Sequence, residues 1–256
     1  NCQISYYDEA KEEPETMEVA ADNYQIPLML GYYKDHWVYG KEAKRLETLH
    51  EGEMISNLFE KAVCRKKVRV GERVHDAVWL LAKFVSLTLQ EFENIKYITF
   101  SVPYTNVDMS KMLKGIARHI GVQKECVYVQ DYKESFCQYM FYQPKELWQY
   151  ESALFFCDAK EIRAFMLRRL NAVNGKGREP LVPVDEVARA HMKELAAIYP
   201  VLNVDKAKDA DDRFKTFIQG VFDKKVVSSV YLTGEGFENN WYPNSLRVLC
   251  NGRRAF

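Results

Sequence analysis

Apolar runs alternate with amphipathic stretches along this chain, most plainly between Lys96 and Leu167. Tyr97-Ile98-Thr99-Phe100-Ser101-Val102 has the pattern of a buried strand, closed by Pro103, which has no N–H to donate. Ser110 to His119 predicts a helix, with Met109, Met112, Leu113, Ile116 and Ile120 at helical spacing and Gly121 as its stop. Cys126 to Gln130 predicts a second strand and Lys133 to Tyr142 a second helix. Ser152 to Cys157 predicts a third strand ending on Asp158, and Ile162 to Leu170 resumes the apolar run. Strand and helix in alternation are the grammar of an α/β layer.

The flanks extend the pattern. Cys2 to Tyr7 reads as a strand and the acidic Asp8 to Glu18, with Pro14, as a loop or hairpin tip. Ile26 to Gly31 and His36 to Tyr39 are strand candidates, followed by a helix from Lys41 to His50. Leu58 to Val63 fits either strand or helix, and Cys64 to Arg69 is a basic run that reads as a solvated strand face. Asp76 to Phe92 is the clearest helix, with Ala77, Leu80, Leu81, Phe84 and Thr88 on one stripe. Asn174 to Gly177, with Pro180 and Pro183, is a breaker-rich loop. Pro183 to Tyr199 predicts a helix with Val184, Val187, Ala188, Leu195 and Ile198 inward, and Asp209 to Phe222 predicts another. Val226 to Leu232 is a strand that runs into Thr233-Gly234-Glu235-Gly236, where two glycines allow close backbone approach. Trp241 to Cys250 looks helical.

Lys plus Arg and Asp plus Glu each total 36, so the net charge is zero, which argues against a general nucleic-acid binder. No apolar run approaches a membrane span and no leader pattern is present, so no membrane partner is expected. The six cysteines form no Cys-x-x-Cys pair and the five histidines no ligand spacing, which disfavours zinc and fits a cytoplasmic location.

Several segments, in order, resemble the actin, DnaK-type chaperone and sugar-kinase superfamily of ATPases. Ile26-Pro27 with Val38-Tyr39-Gly40-Lys41-Glu42-Ala43-Lys44 resembles the chaperone pattern of an Ile-Pro strand and Gly-x-x-Ala-Lys. Ile98 to Pro103 resembles its Val-Thr-Val-Pro strand, and Gln130 to Ser135 stands where Glu-Pro-Thr-Ala-Ala is expected. Phe155-Phe156-Cys157-Asp158 resembles the strand of the second phosphate loop, and Leu232 to Gly236 the adenosine loop. The chain is also similar to an uncharacterised bacterial family carrying such a region. The resemblance implies an α/β, two-lobed actin-like ATPase (ribonuclease H-like) fold with mixed sheets flanked by helices, lacking its first strand and last helix. Lobe I would span 1–148 with an insertion at about 23–70, and lobe II 149–256 with an insertion at about 171–225, the boundary falling near Glu146 to Glu151.

It further implies ATP and Mg²⁺ as cofactors. Asp131 and Asp158 would be the catalytic carboxylates, Asp158 the metal carboxylate, and Gly234, Glu235 and Gly236 the nucleotide contacts. Each has a plainer reading: strand-end Asp residues form turns, and paired glycines make tight strand–helix connections. Departures from the family pattern are concrete. The second loop should read Asp-x-Gly-x-x-Thr, but Asp158-Ala159-Lys160-Glu161-Ile162-Arg163 has no glycine. Asp131 replaces a Glu and Tyr132 a proline. Lys160 and Arg163 could pair with an anion or be solvated. The expected function is a divergent nucleotide-binding domain, weak or slow as an ATPase. The alternative is a degenerate pseudo-ATPase that acts as a scaffold for an unidentified protein partner, a reading prompted also by 16 Tyr and 14 Phe. No clustered Asp, Arg and His suggests a sugar or acetate kinase.

Overall fold

A computed structural model describes residues 1–21, 23–158, 161–168, 170–174, 177–181, 183–191, 204–237 and 241–256. It divides into two compact units, Asn1–Val129 and Gln130–Phe256.

The first unit opens on the antiparallel hairpin β1 (Ser5–Asp8) and β2 (Glu13–Thr16). Strands β3 (Leu30–Tyr33) and β4 (His36–Tyr39) lead into helix α1 (Gly40–Thr48), and β5 (Glu53–Ile55) pairs on the far side of β3. The ambiguous Leu58–Val63 segment is a helix, α2. Hairpin β6 (Lys67–Val70) and β7 (Arg73–Asp76) then feeds α3 (Ala77–Thr88). Asp76 caps α3, accepting from the backbone N–H of Val78 at 2.8 Å. Strand β8 (Ile98–Val102), helix α4 (Val107–His119) and the start of strand β9 (Val127–Asp131) complete the unit, β8 and β9 forming a two-stranded sheet and β9 running past the division at Val129. Ile26, Leu30 and Leu58 are buried in one cluster with Leu80, Phe84 and Met112, so much of the stretch 23–70 belongs to the unit's own core.

The second unit is a mixed sheet between helices. Helix α5 (Tyr132–Phe141) precedes β10 (Glu151–Cys157) and β11 (Glu161–Leu167), a short hairpin β12 (Leu170–Asn174) and β13 (Gly177–Leu181), and β14 (Val184–His191). Helix α6 (Val204–Phe222), strand β15 (Val227–Thr233), helix α7 (Pro243–Leu249) and strand β16 (Arg254–Ala255) follow. The spatial order is β14-β11-β10-β15-β16. β10, β11 and β14 are antiparallel neighbours, and β15 and β16 run parallel to β10. Alternation divides the two faces. Ala153, Phe155, Cys157, Ile162, Ala164 and Met166 join Phe214 and Ile218 of α6 and Leu249 of α7. Leu154, Phe156, Phe165 and Leu167 instead join Phe136 and Met140 of α5. Burial on both faces makes β10 and β11 nearly continuous apolar runs. It also draws α5 into this unit, so the units divide at 129/130, ahead of the Glu146 to Glu151 boundary expected from sequence.

Two predicted elements are corrected: Gly177–Leu181, within the stretch read as a breaker-rich loop, is strand β13, with Pro180 opposite Asn171 of β12. Val184 to His191 is a strand, where the spacing of Val184, Val187 and Ala188 predicts helix. Across from β11, Ala188 faces Ala164 while Glu186 faces Phe165, which leaves Val187 as an extra residue. This β-bulge converts alternation into apolar positions at i, i+3 and i+4, the pattern of a helix face. The rest of that predicted helix, with Leu195 and Ile198, lies outside the described residues.

Candidate functional site

β10 and β15 run parallel, with Phe156 opposite Thr233, so both release their chains at one edge of the sheet. The carboxyl ends of parallel strands are where open α/β sheets place ligands. Asp158 leaves β10 there and Gly234-Glu235-Gly236 leaves β15, so four of the five expected site residues share one edge.

Each performs a structural task. Asp158 closes the β10–β11 turn: its N–H donates to the Glu161 carbonyl at 3.1 Å, and its Oδ1 accepts from the Glu161 N–H at 2.8 Å. This is the turn-forming use of an aspartate. Ala159 and Lys160 lie outside the described residues. Gly234 has φ +104°, and a Cβ built there would sit 2.1 Å from the Cys157 carbonyl oxygen. A Cβ on Gly236 would fall 2.3 Å from Cys157 Sγ and 3.0 Å from the Asp158 carbonyl oxygen. The space that missing side chains would leave for a phosphate is therefore filled by the end of β10. Glu235 opens a short 3-10 turn, Glu235–Phe237, held by the Phe237 N–H on the Gly234 carbonyl and by Trp241 Nε1 donating to the Gly236 carbonyl at 2.6 Å.

Asp131 is the N-cap of α5. Its Oδ1 accepts from the Lys133 and Glu134 N–H groups, both at 3.0 Å, while Glu134 Oε2 accepts from the Asp131 N–H at 3.0 Å. This reciprocal box satisfies the first orphan donors of the helix. Asp131→Ala is expected to cost about 1 kcal/mol, measured as a drop in the urea unfolding midpoint.

Around this edge the electrostatics are dense. Arg163 is buried on the α5 face, its guanidinium 5.0 Å from the Phe156 ring centre and 5.8 Å from that of Phe165. Its Nε lies 3.2 Å from Glu161 Oε1, and Glu161 Oε2 faces Arg189 at 3.8 Å. Arg163 is thus paired within the fold, which settles it against the plainly solvated alternative. Tyr132 packs on Phe156 with ring centres 5.0 Å apart. Burial pushes its phenol up, Arg163 pulls it down, and the Asp158 and Glu235 carboxylates add to the rise. Burial likewise pushes the Cys157 thiol far up, reinforced by Asp158 and Glu235, so this sulfur is an inert packing atom. Among the described residues, no group of three or more His, Cys, Asp or Glu side chains is arranged to hold a metal ion.

Sequence reading missed a polar joint. Asp211, 2% exposed on α6, caps α7 from another helix. Its Oδ2 accepts from the Asn244 N–H at 2.9 Å, and its Oδ1 accepts from the Ser245 N–H at 2.8 Å and the Ser245 hydroxyl at 2.6 Å. The signal was present: Asp211 falls on the stripe of Phe214 and Ile218, and α7 begins after Tyr242, which provides no side-chain cap.

Together these features define a mixed α/β protein whose sheets are flanked by helices. Among the described residues, no helix is long and apolar enough to cross a membrane. The chain belongs to the family described as family of unknown function (DUF5716) C-terminal, which matches residues 13–256. No curated protein matches it.

Proposed function

We propose that this chain is a degenerate member of the actin-like, ribonuclease H-like ATPase superfamily that acts as a protein-interaction scaffold. Support for the fold comes from the second unit: an antiparallel β10-β11-β14 meander, then helix α6 and a strand parallel to β10, with helices on both faces. That is the mixed, helix-flanked sheet the resemblance implies for lobe II. The observation that carries the functional reading is the use made of the expected nucleotide residues. Asp131 caps a helix, Asp158 closes a turn, and Gly234 and Gly236 admit Cys157 rather than a ligand. These residues do not fit ATP and Mg²⁺ as the superfamily holds them.

An aromatic surface supports the scaffold role. Tyr139 and Tyr142 are 49% and 86% exposed at the end of α5, and Phe256 is 56% exposed. Tyr139 and Phe256 both pack on Tyr231, with ring centres 5.5 and 5.0 Å away. Aromatic side chains are enriched at protein interfaces. All six cysteines are free, which fits a cytoplasmic setting.

The second reading, a weak nucleotide site, is favoured by the convergence of Asp158 with Gly234 and Glu235 at one edge. Calorimetric titration with Mg-ATP separates the two. No heat at millimolar ATP is expected; binding that Asp158→Ala abolishes would favour the second reading.

A further inference from the structure

The zero net charge conceals two oppositely charged hairpins in the first unit. Asp8 to Glu18, spanning β1 and β2, carries six carboxylates against Lys11 alone. Arg65 to Arg73, spanning β6 and the start of β7, carries five cations against Glu72 alone. Within the acidic hairpin, Lys11 pairs with Asp8 and Glu15, and Tyr6 donates to Glu15, while Glu9, Glu12 and Glu13 stand exposed at the tip. Within the basic hairpin, Lys67 pairs with Asp76 at 3.1 Å, while Arg65, Lys66, Arg69 and Arg73 are exposed. Among the described residues, no ion pair joins one hairpin to the other.

We propose that the basic β6–β7 hairpin docks the acidic β1–β2 hairpin of a second copy of this chain. Charge complementarity selects the occupant: the anionic surface matching the basic hairpin is on the same chain, with nearly equal and opposite charge. A nucleic acid or anionic membrane meets the basic hairpin's attraction offset by repulsion from the acidic hairpin of the same neutral chain. Each copy carries both hairpins, so the contact closes as a reciprocal two-fold dimer or repeats head-to-tail into a ring or an open chain. Individual exposed ion pairs are weak, so the association is weak, fast and strongly salt-dependent. This inference concerns the first unit and does not depend on the reading of the second.

Sedimentation velocity on the whole chain tests it. The expected result is concentration-dependent association at low salt, weakened about tenfold or more when NaCl rises from about 50 mM to about 500 mM. Arg69→Glu with Arg73→Glu, and separately Glu9→Lys with Glu13→Lys, should each abolish self-association. Mixing these two variants should restore association between them, a rescue that misfolded chains would not give. A wild-type chain that stays monomeric at low salt would overturn the proposal. So would variants that associate as the wild type does. Binding to single-stranded DNA or anionic vesicles by a chain that remains monomeric would also overturn it.

Discussion

Gly234→Ala is expected to lower the stability of the second unit by about 3 kcal/mol or more, read as a fall in the urea midpoint. Two effects act together. At φ +104° a side chain is strained, and the new Cβ would lie 2.1 Å from the Cys157 carbonyl oxygen. That oxygen belongs to the end of β10, which is fixed between β11 and β15, so it has little freedom to retreat. Gly236→Ala meets a different atom, Cys157 Sγ at 2.3 Å. Replacing Cys157 with Ala should therefore relieve the Gly236→Ala clash but not the Gly234→Ala clash. A double-mutant cycle for Gly236 and Cys157 should show coupling of about 1–2 kcal/mol. Additivity within about 0.3 kcal/mol would mean that the sulfur does not fill this corner.

Asp211→Ala should be nearly as damaging, at about 3 kcal/mol. The carboxylate satisfies the backbone N–H groups of Asn244 and Ser245 and the Ser245 hydroxyl at the start of α7, where Ser245 is buried and Asn244 exposed. Removing it strands the buried Ser245 N–H, while the Ser245 hydroxyl keeps the Asp211 carbonyl as acceptor at 2.9 Å. Asp211→Asn keeps one acceptor oxygen but presents an NH₂ group towards donors, so an intermediate loss of about 1–2 kcal/mol is expected. Chemical denaturation of the three proteins provides the comparison. If Asp211→Ala unfolded at the wild-type midpoint, the α6–α7 joint would contribute nothing to stability.

Much of the fold was legible because hydrophobic spacing and secondary structure coincide in most elements. The stripe Leu80, Leu81 and Phe84 predicts α3, and the unbroken run Ala153 to Cys157 predicts a strand buried on both faces. Legibility failed at β14, where the bulge at Val187 imitates helical spacing, and no local residue marks a bulge. The division at 129/130 was not legible for a related reason. Local sequence does not say which sheet an amphipathic helix will cover, and α5 covers β10 and β11 through Phe136 and Met140. At the candidate site, the meeting of Asp158 with the Gly234 loop was an implication of the family resemblance, and the parallel pairing of β10 with β15 brings them to one edge. What those residues do there could not be read, because the glycine requirement arises from Cys157, 77 positions earlier than Gly234. Asp211 was missed because a carboxylate on an apolar stripe has meaning only once its partner helix is known.

The central claim is that the edge where β10 and β15 end is an internally packed joint rather than a phosphate cradle. A ligand that binds the folded state raises stability by mass action, by about 2.7 kcal/mol at one hundred times its dissociation constant. The most direct measurement is the unfolding midpoint with and without millimolar Mg-ATP, for the wild type and Asp158→Ala. The expected result is that Mg-ATP leaves both midpoints unchanged. A rise in the wild-type midpoint that disappears in Asp158→Ala would contradict the account.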